Sequence, residues 1–373
     1  MIRRGVAFVS VALALVLLGA APVRTLVAAR VELPTHLSDQ EFWRLIDDFS
    51  EPGGYFRSDN LVSNEDTLQF VLPTLTKIVK PGGVYLGVGP DQNFTYIAAL
   101  EPHIAFITDI RRGNLQQHLM YKALFELSAD RAEFLSRLFS RKRPAGLDAA
   151  STAEELFEAY GKVEPNRALY DENLQAVRDV LVKKHGFKLT ADDLSGIEYV
   201  YSNFFGAGPY LAYAQGSFPG RGMMRYPTYA DLQVATDGMG QNRAYLGSET
   251  NFRALKTFQE RNLLVPIVGN FAGPKALRAV GAYLKAHEAS VSVFYLSNVE
   301  QYLFGDGIWA DFAHNVEALP LDESSTFVRS CFNGCSSSIA SRAVMLLDSM
   351  PGLLKDFRDG KIRAYSDVLW RSR

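Results

Sequence analysis

The chain is poor in the residues that usually announce chemistry. It has two cysteines and six histidines in 373 residues. No His/Cys cluster has the spacing of a zinc site, and the histidines are scattered. No Gly-x-Ser-x-Gly elbow, Walker sequence or His-Glu-x-x-His occurs, which removes the motif-bearing hydrolases, nucleotide triphosphatases and zinc proteases. His103 at a strand entrance and His118 on a helix read as surface or N-terminal residues rather than base or ligand. Long basic runs are also lacking. The formal charge is −2, and without residues 1–29, which hold Arg3, Arg4 and Arg24 and no acid, 36 basic residues face 41 acidic ones. A nucleic-acid partner needs a concentrated basic surface, so none is expected. Internal repeats and low-complexity tracts are absent.

What is there is apolar: 47% of residues are hydrophobic, enough for one large α/β domain. The first residues read as an address. Arg3 and Arg4 precede an apolar run, 6–18, too short to span a bilayer, and Val27-Ala28-Ala29 fits a small-x-small cleavage site. The expectation is an exported protein, periplasmic or secreted, cut after Ala29 and keeping no stable membrane span. Residues 30–373 then form a single domain. For Cys331 and Cys335, set around Phe-Asn-Gly, two readings stand side by side: a small structural disulfide, which an exported chain favours, or two free thiols.

The organising stretch runs from Pro81 to Asp109. Residues 84–88 are short, apolar and β-rich, and Gly87 and Gly89 stop the run abruptly. Phe94, Ile97, Ala98 and Leu100 recur at helical spacing, 104–107 is a second apolar run, and Asp109 closes it. Strand, glycine turn, helix, strand, acid is the layout of a nucleotide-binding βαβ unit. Before it, in the helical segment 30–80, lies a helix over 37–49 with Ser38 as its cap. A polar loop follows, in which Ser63 and Asp66 read as a capping box for a helix over 67–79. That loop is also placed to fold over the glycine turn and offer Asn60, Asn64 or Glu65 to a ligand.

Beyond Asp109 a largely helical insertion is expected over 128–227, containing helices at 153–160 and 170–185. A strand-like aromatic run spans 197–205, and 216–222 is a glycine-rich loop able to serve as a lid. Residues 229–236 alternate like a half-buried strand. Residues 263–268 are a buried strand ending at Asn270, 274–287 a helix, and 291–296 a strand ending at Asn298. The tail reads as a strand at 327–328 and a helix at 341–354. Asp91, Asp109, Glu65, Asp237 and Glu249 form the nearest thing to a carboxylate group at the sheet's carboxyl edge. They carry no metal assignment.

Leu86-Gly87-Val88-Gly89-Pro90 with Asp109 resembles motif I and the acidic second-strand end of class I S-adenosylmethionine-dependent methyltransferases. The resemblance implies a doubly wound Rossmann-like sheet and S-adenosylmethionine as cofactor. It places the backbone at Gly87 and Gly89, with Asp91, against the methionine part and Asp109 on the ribose hydroxyls, while the polar loop's Asn64 and Glu65 would complete the cofactor site. Asn270 and Asn298 would face substrate from the fourth and fifth strands. The chain departs from the pattern at Tyr85, where such enzymes carry an acid, and at Asp91, where they carry a third glycine. Residues 270–274 lack the Asn/Asp-Pro-Pro-aromatic signature of amino-group methyltransferases. More broadly, 50–65, 236–249 and 265–304 resemble an uncharacterised family of exported bacterial proteins thought to share this fold. Two functions follow: a methyltransferase or nucleoside-binding descendant acting on a small molecule, or a non-catalytic exported binding or scaffold protein.

Overall fold

Short runs of β-branched and aromatic residues bounded by glycine, proline or asparagine become strands, and in a computed structural model they assemble into one six-stranded sheet. The structure describes residues 32–213, 226–332, 335 and 343–372. The strands are β1 (Val84–Gly87), β2 (Ile104–Asp109), β3 (Leu264–Val268), β4 (Val291–Ser297), β5 (Leu321–Cys331) and β6 (Val344–Ser349). They lie in the order β3-β2-β1-β4-β5-β6. β1 to β5 run parallel and β6 is antiparallel to β5. Every residue of β1, β2 and β3 is buried, as expected of parallel strands covered on both faces. The architecture is a mixed α/β sheet compatible with a Rossmann-like fold.

The order corrects the strand count. β3 pairs with β2, and β4 pairs with β1, so Asn270 and Asn298 follow the third and fourth strands, not the fourth and fifth. The chain leaves β1 toward β2 and β3 on one side and returns to β4 on the other. A crevice opens at such a reversal, at the carboxyl ends of the strands.

Between β2 and β3 the described residues form helices and no sheet strand. The run 197–205 is helical, inside Ala191–Ala207, because its period outweighs its β-propensity. Ile197, Val200, Tyr201 and Phe204 are the buried positions, and a Thr190–Asp193 capping box starts the helix. The 229–236 expectation fails in the same way: Tyr229–Val234 is a short helix with a Thr228–Asp231 capping box. In the tail, 341–354 is not one helix, since β6 is followed by a helix at Met350–Arg358. Ser63 and Asp66 do not cap. Ser63 accepts from the Glu65 amide, Asp66 accepts from the Ala343 amide, and the helix begins only at Leu72.

The expected amino-terminal helix forms. Asp39–Phe49 is a helix with a Ser38–Glu41 capping box, and Glu249–Glu260 is one capped by Ser248. Cys331 and Cys335 are joined by a disulfide, their Cα atoms 6.0 Å apart. Val31–Arg373 forms one compact unit. No helix among the described residues is long and apolar enough to cross a membrane. The predicted export segment 1–29 and the loop 216–222 lie outside the described residues.

Candidate functional site

The turn after β1 is held from inside by one side chain. Asn93 Nδ2 donates to the carbonyls of Val88, Gly89 and Pro90 at 2.9, 3.2 and 2.7 Å, and Asn93 Oδ1 accepts from Tyr85 Oη at 2.9 Å. A Cβ on Gly87 would lie 2.0 Å from Asn93 Oδ1. Gly87 therefore makes room for the asparagine and is not among the residues lining the cleft described below. Gly89, at φ +80, adopts a backbone that side chains disfavour. Tyr85, in place of an acid, is buried and supports Asn93.

The sheet's carboxyl edge opens into a cleft of about 190 Å³. Gly89, Pro90 and Gln92 contribute from the turn after β1, Asp109 and Arg111 from the end of β2, Asn270 from beyond β3, and Ser297 and Asn298 from the end of β4. The loop 51–64 roofs it with Asn60 and Asn64. Backbone bonds dock this loop across the strand ends: Glu51 N–H to Val268 O at 2.8 Å and Gly54 N–H to Ile110 O at 2.7 Å. Glu51 then accepts from the amides of Asn270, Lys275 and Ala276. The anion position at the start of the Ala276–Ala286 helix is thus filled by the protein's own carboxylate.

Of the sequence-predicted residues, Gly89, Asp109, Asn64, Asn270 and Asn298 meet in this cleft, whereas Gly87, Asp91 and Glu65 do not line it. Asp91 turns into the helical layer, where its Oδ2 accepts from Tyr245 Oη at 3.2 Å and Gln233 Nε2 at 3.3 Å. Burial raises its pKa to about 7. The expected placement of Asp91 against the methionine part is therefore wrong. Glu65 lies beneath the cleft among hydroxyls, 1% exposed, with a pKa raised by burial. The five carboxylates do not gather. Asp237 pairs with Arg243 and Glu249 with Arg131, and no metal-holding cluster exists among the described residues.

Asp109 is already engaged. Its Oδ1 accepts from the Arg111 amide at 2.8 Å and Nε at 3.2 Å, and its Oδ2 from Arg111 Nη2 at 3.1 Å. A carboxylate has about four acceptor positions, so one direction on Oδ2 stays open. Arg111 also donates to Asp59 O, fastening the roof loop to the acid. His118, read from sequence as a surface residue, is buried. Its Nε2 donates to Gly89 O at 2.9 Å, and burial lowers its pKa to about 4, so it is a neutral prop for the turn.

Several cleft residues escaped sequence reasoning. Arg111 stands two residues after the acid, a legible spacing. Tyr55, Phe56, Tyr213 and Tyr302 form an aromatic wall drawn from three distant segments, which spacing cannot reveal. Asn60, which the polar loop was expected to offer, and Ser297, which was not expected, sit at φ +46 and +50. Backbone strain of this kind concentrates at ligand sites. Asn60 Oδ1 and Gln92 Oε1 are buried polar atoms with no hydrogen-bond partner, and both residues line the cleft. Such atoms cost stability unless a ligand or water satisfies them.

Residues 60–345 match the family described as a domain of unknown function, DUF7790, and over this span the chain belongs to that family. No curated protein matches the chain.

Proposed function

We propose that this DUF7790 chain binds a nucleoside-type small molecule at the carboxyl edge of a doubly wound, methyltransferase-like sheet, with S-adenosylmethionine the first candidate. One observation carries the reading: four consecutive strand ends deliver the glycine turn, an acid and two asparagines to one open cleft at the reversal of strand order. The unpartnered Asn60 and Gln92 oxygens suit an amine or amide donor, and the aromatic wall suits a flat ring. Gly89, Asn64 and the free direction on Asp109 would hold the ligand, and Asn270 and Asn298 would face the methyl acceptor. When bound, the cofactor supplies an activated methyl group. Transfer of that group depends on alignment more than on a strong base.

The second reading, a non-catalytic exported binding or scaffold protein, is favoured by the Asp109–Arg111 contact, which leaves the acid one acceptor position where two ribose hydroxyls would use two. Calorimetric titration with S-adenosylmethionine and S-adenosylhomocysteine separates the two. Micromolar binding that Asp109→Ala abolishes supports the nucleoside site, and no heat from either ligand leaves the fold as architecture. We further propose export with removal of 1–29. Amino-terminal sequencing of the secreted chain is expected to begin at Arg30, and an intact Met1 contradicts cleavage.

A further inference from the structure

Glu65 has lost water without gaining a cation. Its oxygens accept from Tyr295 Oη and Ser297 Oγ, each at 2.5 Å, and from Ser330 Oγ. None of the ion pairs among the described residues includes it. The other titratable groups that sense it are Tyr85, Tyr96 and Tyr295, and the neighbouring Asp66, which is turned to the Ala343 amide. A carboxylate held in a dry place by neutral hydroxyls alone is a stronger base than one in water.

Ser297 connects this base to the cleft. It is the last residue of β4, at a strand-to-helix corner, and its φ of +50 is a conformation serine seldom adopts. It lines the cleft while its Oγ rests on Glu65. Ser330, the other serine on Glu65, has Met345 Sδ as its second neighbour and does not line the cleft. Tyr295 reaches the cleft indirectly, accepting from Gln92 Nε2 at 3.2 Å. Among the described residues the carboxylate is reached only through hydroxyls, and Ser297 is the one of them that meets the ligand space.

We propose that Ser297 and Glu65 are a proton-accepting pair for a hydroxyl or amine on the molecule that receives the transferred group in the cleft. The identity of that group rests on the methyl-transfer reading above. The proton step does not. The ligand X–H gives its proton to Ser297 Oγ as Ser297 passes its own to Glu65 Oε1. The electron pair of the X–H bond stays on X, and Glu65 ends neutral. Ser297 touches the ligand, and Glu65 is a positioning residue that acts through it. The substrate class is therefore a protic acceptor, with a flat apolar body suited to the wall of Tyr55, Phe56, Tyr213 and Tyr302.

The same proton transfer activates Ser297 toward an electrophile, so the pair can be read without substrate. With phenylmethanesulfonyl fluoride, an Oγ–S bond forms, the S–F bond breaks, fluoride leaves with its electron pair and the proton goes to Glu65. We expect the intact protein to be sulfonylated at Ser297, located by peptide mass, at a rate that rises with pH as Glu65 ionises. Glu65→Gln lowers the rate about a hundredfold. An unmodified Ser297 in the wild type, or Glu65→Gln reacting at the wild-type rate, overturns the pair. Should Glu65→Gln not fold, Glu65→Asp substitutes: its pH–rate profile is displaced from the wild type, and a coincident profile is the contradicting result. Nucleoside binding plays no part in this readout, so the proton pair and the ligand reading fail separately.

Discussion

Arg329→Met lowers the stability of the fold by about 3–5 kcal/mol, the usual cost of removing one partner from a buried ion cluster. Arg329 lies in β5 with none of its surface exposed. It donates through Nε to Glu300 and through Nη1 to Asp348 at 2.8 Å, and its guanidinium lies 4.5 Å from the Phe327 ring centre. Methionine keeps much of the apolar contact and removes the charge. Asp348 retains Arg371 at 2.9 Å, but Glu300 is left with Trp309 Nε1 at 3.0 Å and no cation. The consequence reaches the cleft, because Glu300 lies on the Val299–Gly305 helix that also carries Tyr302 and Leu303 to the cleft wall. Denaturant unfolding measures the loss. The double variant with Glu300→Gln is expected to be less destabilised than the sum of the two singles, since the orphaned charge is gone. A loss under about 1 kcal/mol for Arg329→Met would mean the cluster contributes no more than an exposed ion pair.

Asp91→Asn makes the protein more stable at alkaline pH and changes little in acid. The sign follows from the direction of the shift. Asp91 has a pKa of about 7 in the fold against 3.8 for an ordinary aspartate, so the folded chain holds its proton after the unfolded chain has released its own. The stability linked to this carboxyl is complete below about pH 4, falls as pH rises through the interval and is lost above pH 7. Three pH units correspond to about 4 kcal/mol, an upper bound on the gain at pH 8. Asparagine fits the same geometry. One oxygen receives Tyr245 and Gln233, and the amide takes the place of the Asp91 Oδ1 that has no partner. Unfolding free energies for both proteins from pH 4 to 8 are expected to diverge with rising pH. Parallel curves would show that Asp91 is ionised in the fold.

Features that rest on neighbours in sequence were legible. The glycine stop after β1, the helix at Gln92–Leu100 and Asp109 at the end of β2 follow from local spacing, as does the Ser38 cap. Asp109 and Asn64 reach the cleft as anticipated, because a strand end and the roof loop fix them. The aromatic run at 197–205 misled because its residue types favour strands while its buried positions recur at a helical period. Partnerships across the chain left no local trace. β2 finds β3 from Asp109 to Val268, across the whole helical layer. Asp91 meets Gln233 and Tyr245 from 142 and 154 residues away, and Glu65 meets Ser297 and Ser330 from 232 and 265. Those contacts decide which acid faces the cleft and which is sealed behind it.

The proposed nucleoside-type ligand binds in the cleft rather than on any other surface. Hydrogen–deuterium exchange with and without saturating S-adenosylhomocysteine tests this placement. Protection is predicted in the peptides covering 55–64, 88–92, 109–111, 269–271 and 297–303, which carry cleft-lining residues. Exchange unchanged throughout, or protection confined to peptides remote from these strand ends, would contradict ligand binding in the cleft.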